Sequence, residues 1–211
     1  MGINISFLAE APGTKNPLEA IQALAEQEQY ETETEKNKIV VIFCPTGFIT
    51  ITRKRMKKKW IVSGMCSTTP AGAGFHKAVA EFIDRMAANI FEIREVRDQT
   101  HYYLHRDFHR LQEEHFYPWL SNIKAVFEET VRHNTGGVYL CWSPEQYDPF
   151  HIPDTVVSHM GRITRKEFSR QTISWLANRF FIWENQKRDA LFYRNSALNQ
   201  LWERCSYLPS A

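Results

Sequence analysis

Residues 59–90, KWIVSGMCSTTPAGAGFHKAVAEFIDRMAANI, constrain this chain more than any other stretch. The run 60–66 is apolar enough for a buried strand. A loop of small residues, 67–74, leads from it into an amphipathic helix over 75–90. Phe75, Val79, Phe82, Ile83, Met86 and Ile90 recur at the spacing of one helical face. Such a unit packs a helix on the sheet that holds the strand, and the loop between them is a place where a ligand can sit.

The residues before it supply the rest of a sheet. Residues 3–8 alternate as a short strand. Asn16-Pro17-Leu18-Glu19 is a helix start, with Asn16 as N-cap, Pro17 at N1 and Glu19 reaching back. That helix turns Leu18, Ile21, Leu24 and Ala25 inward and fades near Tyr30. The polar, acidic run 31–37 reads as a loop. Residues 38–44, KIVVIFC, read as a central strand covered on both faces. Pro45-Thr46-Gly47 turns the chain into the alternating strand 48–53. The three strands 38–44, 48–53 and 60–66 have short connections and form an antiparallel meander.

Beyond residue 90 the pattern becomes mainly helical. A strand is expected over 91–96. A helical period runs from Asp107 through Phe108, Leu111, His115, Trp119, Ile123, Val126, Phe127 and Val131. Pro118 should kink or split it near residues 116–117. A short strand over 138–142 and a loop with Pro144, Pro149 and Pro153 follow. Thr164-Arg165-Lys166-Glu167 is a capping box flanked by the staple pair Ile163 and Phe168. The helix it opens carries Phe168, Trp175, Leu176, Phe180 and Trp183. A second pattern carries Leu191, Leu198, Leu201 and Trp202. No Gly or Pro decides whether these are two helices or one. The expectation is a single α+β domain: an antiparallel or mixed sheet of about five strands, packed by helices, with a helical C-terminal third.

Composition narrows the function classes. With 43% hydrophobic and 24% charged residues, the chain can bury a core without staples. Its four cysteines form no CxxC pair and read as reduced, buried thiols of a cytoplasmic protein. A net charge of +2 gives no global field for nucleic acid or lipid. No apolar run is long enough to span a membrane. No motif names a cofactor.

Three candidate sites remain. The first is the loop 67–74 with the helix start behind it. Gly72 and Gly74 let a backbone approach, unpaired N–H groups at a helix start attract anions, and Thr68, Thr69, His76 and Lys77 add contacts. It lacks the GK[ST] ending of a phosphate-binding P-loop. The second is the run His101, His105, His109 at four-residue intervals, with His105 and His109 as zinc ligands; HExxH is absent because Arg106 follows His105. The third is the basic run 53–59, with Arg53, Arg55, Lys57, Lys58 and Lys59 at a hairpin tip. The polar residues assemble no catalytic set. The expected function is that of a non-catalytic cytoplasmic binding protein, immunity- or adaptor-like, whose partner is another protein. The alternatives are a metal-dependent hydrolase built on the histidines and a nucleic-acid binder built on the basic hairpin.

Overall fold

The computed structural model describes residues 2–133, 138–139, 155–158 and 161–204. Its centre is a six-stranded antiparallel sheet in the order β2-β3-β4-β5-β1-β6. The strands are β1 (Asn4–Pro12), β2 (Glu31–Glu35), β3 (Lys38–Cys44), β4 (Gly47–Met56), β5 (Lys59–Ser67) and β6 (Glu92–Asp98). Helix α1 (Pro17–Gln27) joins β1 to β2, and α2 (Ala73–Asn89) joins β5 to β6. The expected meander β3-β4-β5 is present. β1 lies between β5 and β6, antiparallel to both.

Period-two alternation decides which face is covered. Ile5, Phe7, Ala9 and Ala11 of β1, Ile39, Val41 and Phe43 of β3, Ile49 and Ile51 of β4, and Val62 and Cys66 of β5 are all buried. They meet Leu18, Ile21 and Ala25 of α1 and Phe75, Val79, Phe82, Ile83 and Met86 of α2. Phe43 lies edge-on to both Phe75 and Phe82, with ring centroids 5.5 Å apart in each case. Gly64 is opposite Phe7, and a Cβ there would overlap the Phe7 ring. Cys44 and Cys66 are free thiols within this core. Burial pushes the Cys44 thiol up to about 12, so it stays protonated and inert.

Two expectations for this half are corrected. The acidic run 31–37 contains a strand. Glu31–Glu35 pairs with β3 along its whole length, because Thr32 and Thr34 suit an extended chain and the glutamates of an edge strand stay in water. Its neighbour β3 is covered on one face only, since its burial alternates. The capped start of α1 agrees with expectation: the Asn16 side chain accepts from the Leu18 N–H, and its amide donates to Glu19.

After β6 come α3 (Tyr102–His105), α4 (Phe108–Leu111), a π-helical turn (Gln112–Phe116) and α5 (Tyr117–His133). The π turn lies where Pro118 was expected to disturb the helix. The Tyr117 N–H reaches back to the Gln112 carbonyl, one residue further than in an α-helix. Further elements are β7 (Val138–Tyr139), β8 (Thr155–Ser158), β9 (Gly161–Thr164), α6 (Arg165–Arg170), α7 (Ile173–Phe180) and α8 (Ala190–Arg204). β7, β8 and β9 form a small mixed sheet. Residues 140–142 of the expected strand 138–142, and the proline loop after it, lie outside the described residues.

The capping box holds: the Thr164 hydroxyl accepts from the Glu167 N–H at 3.1 Å. The helix it opens is shorter than the hydrophobic pattern suggested. Gln171 is extended, and Thr172 caps a new helix by accepting from the Trp175 N–H at 3.2 Å. The segment 181–184 then leaves helical geometry altogether and passes through the core. Phe181, Ile182, Trp183 and Glu184 are all buried. No helix among the described residues is long and apolar enough to cross a membrane.

Candidate functional site

The loop after β5 folds against the protein's own chain. Gly72 has φ of 109°, in the region that favours glycine, and caps α2 without a side chain. The Gly74 N–H donates to the Trp183 carbonyl at 2.9 Å. The Trp183 N–H returns a bond to the Ala71 carbonyl at 2.8 Å. A Cβ on Gly72 would strike Phe181, and one on Gly74 would strike the Asn185 carbonyl and the Trp183 ring. The glycines therefore make room for a strap, residues 181–185. Thr68, Thr69 and His76 are buried. The Thr69 hydroxyl accepts from the Ile3 N–H at 2.6 Å, and Lys77 pairs with Glu81 at 2.6 Å. The expected open anion cradle is closed, and the physical reason is this strap across the helix start.

Between α2 and the end of β6 lies a buried polar network. His76 Nδ1 is 3.0 Å from the Thr68 hydroxyl, which also donates to the Ile3 carbonyl at 3.2 Å. His76 Nε2 is 3.3 Å from Asp98 Oδ2. Asp98 also accepts from the Thr100 N–H and hydroxyl, each at 2.8 Å, and from the Tyr103 N–H at 2.7 Å. Burial alone would raise the Asp98 carboxyl. His76 and the two backbone donors overcome that and hold it well below the usual carboxylate range. Hydroxyl, imidazole and carboxylate are the parts of a nucleophilic triad. Here Thr68 and His76 are fully buried and the Asp98 side chain is 3% exposed, so no substrate can reach the hydroxyl. The edges of Tyr102 and Phe116 close the imidazole in.

The histidine run does not form one helical edge. His101 and Arg106 both have positive φ and bracket α3, so the chain changes direction between His105 and His109. The rings of His101 and His105 are 6.5 Å apart. Among the described residues no three His, Cys, Asp or Glu side chains form a group that could hold a metal. Lys77 and His109 instead share the wall of a cleft of about 570 Å³ between α2, α3 and α4. Most of its charges are paired, Lys77 with Glu81 and Arg106 with Asp84 at 2.7 Å, and Asp107 caps α4 by accepting from the Arg110 N–H.

The basic run is part strand and part turn. Arg53 and Arg55 belong to β4, only Lys57 and Lys58 form the tip, and Lys59 begins β5 and pairs with Glu10 at 2.7 Å. Arg53 and Arg55 both lie over the Trp60 ring, at 4.6 and 4.7 Å from its centroid.

The feature that sequence reasoning missed is the other face of the main sheet. Leu8, Phe48 and Met65 are 40, 50 and 69% exposed there, among Ser6, Thr50, Thr52 and Ser63. Leu8 and Met65, with the four hydroxyl residues and the ion-paired Glu95 and Arg97, line a wide, shallow depression of about 490 Å³, and Phe48 lies on the same face outside it. The alternation of Phe48, Thr50 and Thr52 against Ile49 and Ile51 was visible in the sequence. That nothing among the described helices covers the Phe48 side was not. Comparison with known proteins adds no candidate: no family model, curated protein or solved structure matches the chain.

Proposed function

We propose that the protein is a non-catalytic binding protein that docks another protein on the face of its six-stranded sheet that no described helix covers. The observation that carries this reading is the exposure of Leu8, Phe48 and Met65 together on one sheet face. Apolar side chains among hydroxyl groups, with the Arg97–Glu95 ion pair at the β6 side, match the composition of a protein interface, an apolar centre with a polar rim. The depression is shallow and open, which suits a protein surface better than an enclosed small molecule. The buried polar clusters support the same reading, because Thr68–His76–Asp98 is sealed from substrate.

A photo-crosslinking amino acid placed at Met65 or Phe48 in the native cell tests it. The expected result is one discrete adduct from both positions and none from the exposed Asn89 on α2. That adduct should disappear when Leu8 is changed to Asp. Absence of any light-dependent adduct at both sheet positions would overturn the proposal. An adduct of the chain with itself would reassign the face to self-association.

A further inference from the structure

One end of the main sheet collects cations from three separate turns. Arg53 donates to the Asn16 side chain and to the Lys36 carbonyl at 3.0 Å, and its N–H bonds the Asn37 carbonyl at 3.0 Å. Arg55 donates to the Gly13 carbonyl at 2.8 Å. Gly13 sits so close to the Lys58 carbonyl that a Cβ would overlap it. These contacts tie the turn 13–16, the turn 36–37 and the hairpin tip 57–58 into one surface. Lys15, Lys36, Lys57 and Lys58 stand exposed on those turns, and Lys54 stands exposed on the strand beside them. None of these lysines has an ion-pair partner among the described residues. Of the nearby acids, Glu10 is engaged with Lys59 and Arg94, Glu19 with Asn16 and Glu35 with Lys38, while Glu33 stands exposed on the edge strand.

We propose that this three-turn surface binds the phosphate backbone of duplex nucleic acid. The choice of partner follows from what surrounds the lysines. A protein partner would need an apolar centre to the patch, and a bilayer would need apolar side chains to insert. Met56 is the one large apolar residue exposed at the hairpin tip. The Trp60 ring has two guanidinium groups over it, so it offers no free platform for an unpaired base. Ammonium groups on long stems, held by a braced backbone, contact phosphates without reading sequence. A duplex presents one phosphate charge per about 1.7 Å of axis and hides its bases. The turn lysines lie at the sheet's end, whereas Leu8, Phe48 and Met65 lie on its open face, which Lys54 shares.

The test is fluorescence anisotropy of a labelled duplex DNA of about 20 base pairs, titrated with the full chain at several salt concentrations. The expected logarithmic salt slope is about −3 to −4, the value for roughly four neutralised phosphates, with no preference between two unrelated sequences. Lys57→Glu with Lys58→Glu should weaken binding at least about tenfold at low salt and flatten the slope by about 2. Lys166→Glu with Lys187→Glu changes net charge equally at exposed positions elsewhere and should leave most of the binding intact. Equal loss in both double variants would overturn the assigned surface. Binding that is insensitive to salt would also overturn it, as would tighter binding to polyglutamate or to phosphatidylserine vesicles than to the duplex.

Discussion

Asp98 and Glu184 both carry carboxylates removed from water: the Asp98 side chain is 3% exposed, and Glu184 as a whole residue is buried. Their environments drive them in opposite directions. Asp98 sits where β6 ends and α3 begins, so two backbone N–H groups, the Thr100 hydroxyl and His76 all point at it. Glu184 sits on the strap, where Oε1 accepts from the Gln112 amide at 2.5 Å and Tyr117 is the other polar group that lowers the carboxyl, with no backbone N–H aimed at it among the described residues. Burial pushes the Glu184 carboxyl up to about 7, and Gln112 and Tyr117 offset only part of it. Depth alone does not fix the charge of a buried acid; the donors that replace water do.

The largest expected effect comes from breaking the satisfied side. His76→Ala leaves Asp98 buried without its ring partner and opens a void among Thr68, Tyr102 and Phe116. Denaturant unfolding at neutral pH should show a loss of about 3–5 kcal/mol. A loss below 1 kcal/mol would mean that the backbone donors suffice for Asp98.

Next comes Glu184→Gln, which sharpens the contrast. The folded-state pKa of Glu184 lies above its ordinary value of 4.5. Its protonation therefore favours the fold fully below about pH 4.5, and that contribution is lost as the pH rises to about 7. The loss amounts to about 3 kcal/mol for a shift of this size. Glu184→Gln should remove this slope and raise stability at pH 8 by a similar amount, read from melting or denaturation between pH 4 and pH 8. Asp98 has the reverse sign. Its contribution is complete above the ordinary aspartate range and falls away as acid protonates it, and Asp98→Asn should abolish that acid limb.

A smaller effect is expected from Gly74→Ala, which drives a methyl group against the Asn185 carbonyl and the Trp183 ring. It should cost about 1–3 kcal/mol. It should also speed amide exchange at Trp183 while the core of β3 and β4 keeps its protection. The smallest is Thr172→Ala, about 1 kcal/mol for the lost cap of the helix that leads into the strap. Unchanged stability in that variant would show that buried Phe180 and Phe181, rather than the cap, fix where the strap begins.

These contrasts also explain what could be read from the sequence. The β-branched runs of β3, β4 and β5, the Asn16 and Thr164 caps and the apolar stripe of α2 are local signals, and each gave its element. The strand Glu31–Glu35 escaped because an edge strand that buries nothing has no hydrophobic period. The strap escaped for the opposite reason. Phe180, Phe181 and Trp183 fit a helical stripe, and only contacts with Ala71 and Gly74, more than a hundred residues earlier, pull the chain out of it. Gly72 and Gly74 were recognised as places of close approach. Sequence could not say that what approaches is the protein's own backbone.

The position of β1 has a consequence for how the molecule assembles. A strand from the beginning of the described chain lies between β5 and β6, paired with Lys59–Ser67 on one side and Glu92–Asp98 on the other. The meander β2–β5 can zip through short hairpins, but β1 must close loops spanning most of the sheet half before either edge is satisfied. During synthesis at about 5–20 residues per second, β1 waits several seconds for its last partner. Throughout that interval its apolar side, with Ile5, Phe7, Ala9 and Ala11, lacks the cover it has in the finished fold. Docking of β1 is therefore the step at which a nascent chain of this design is most open to chaperone capture or to pairing with the wrong strand.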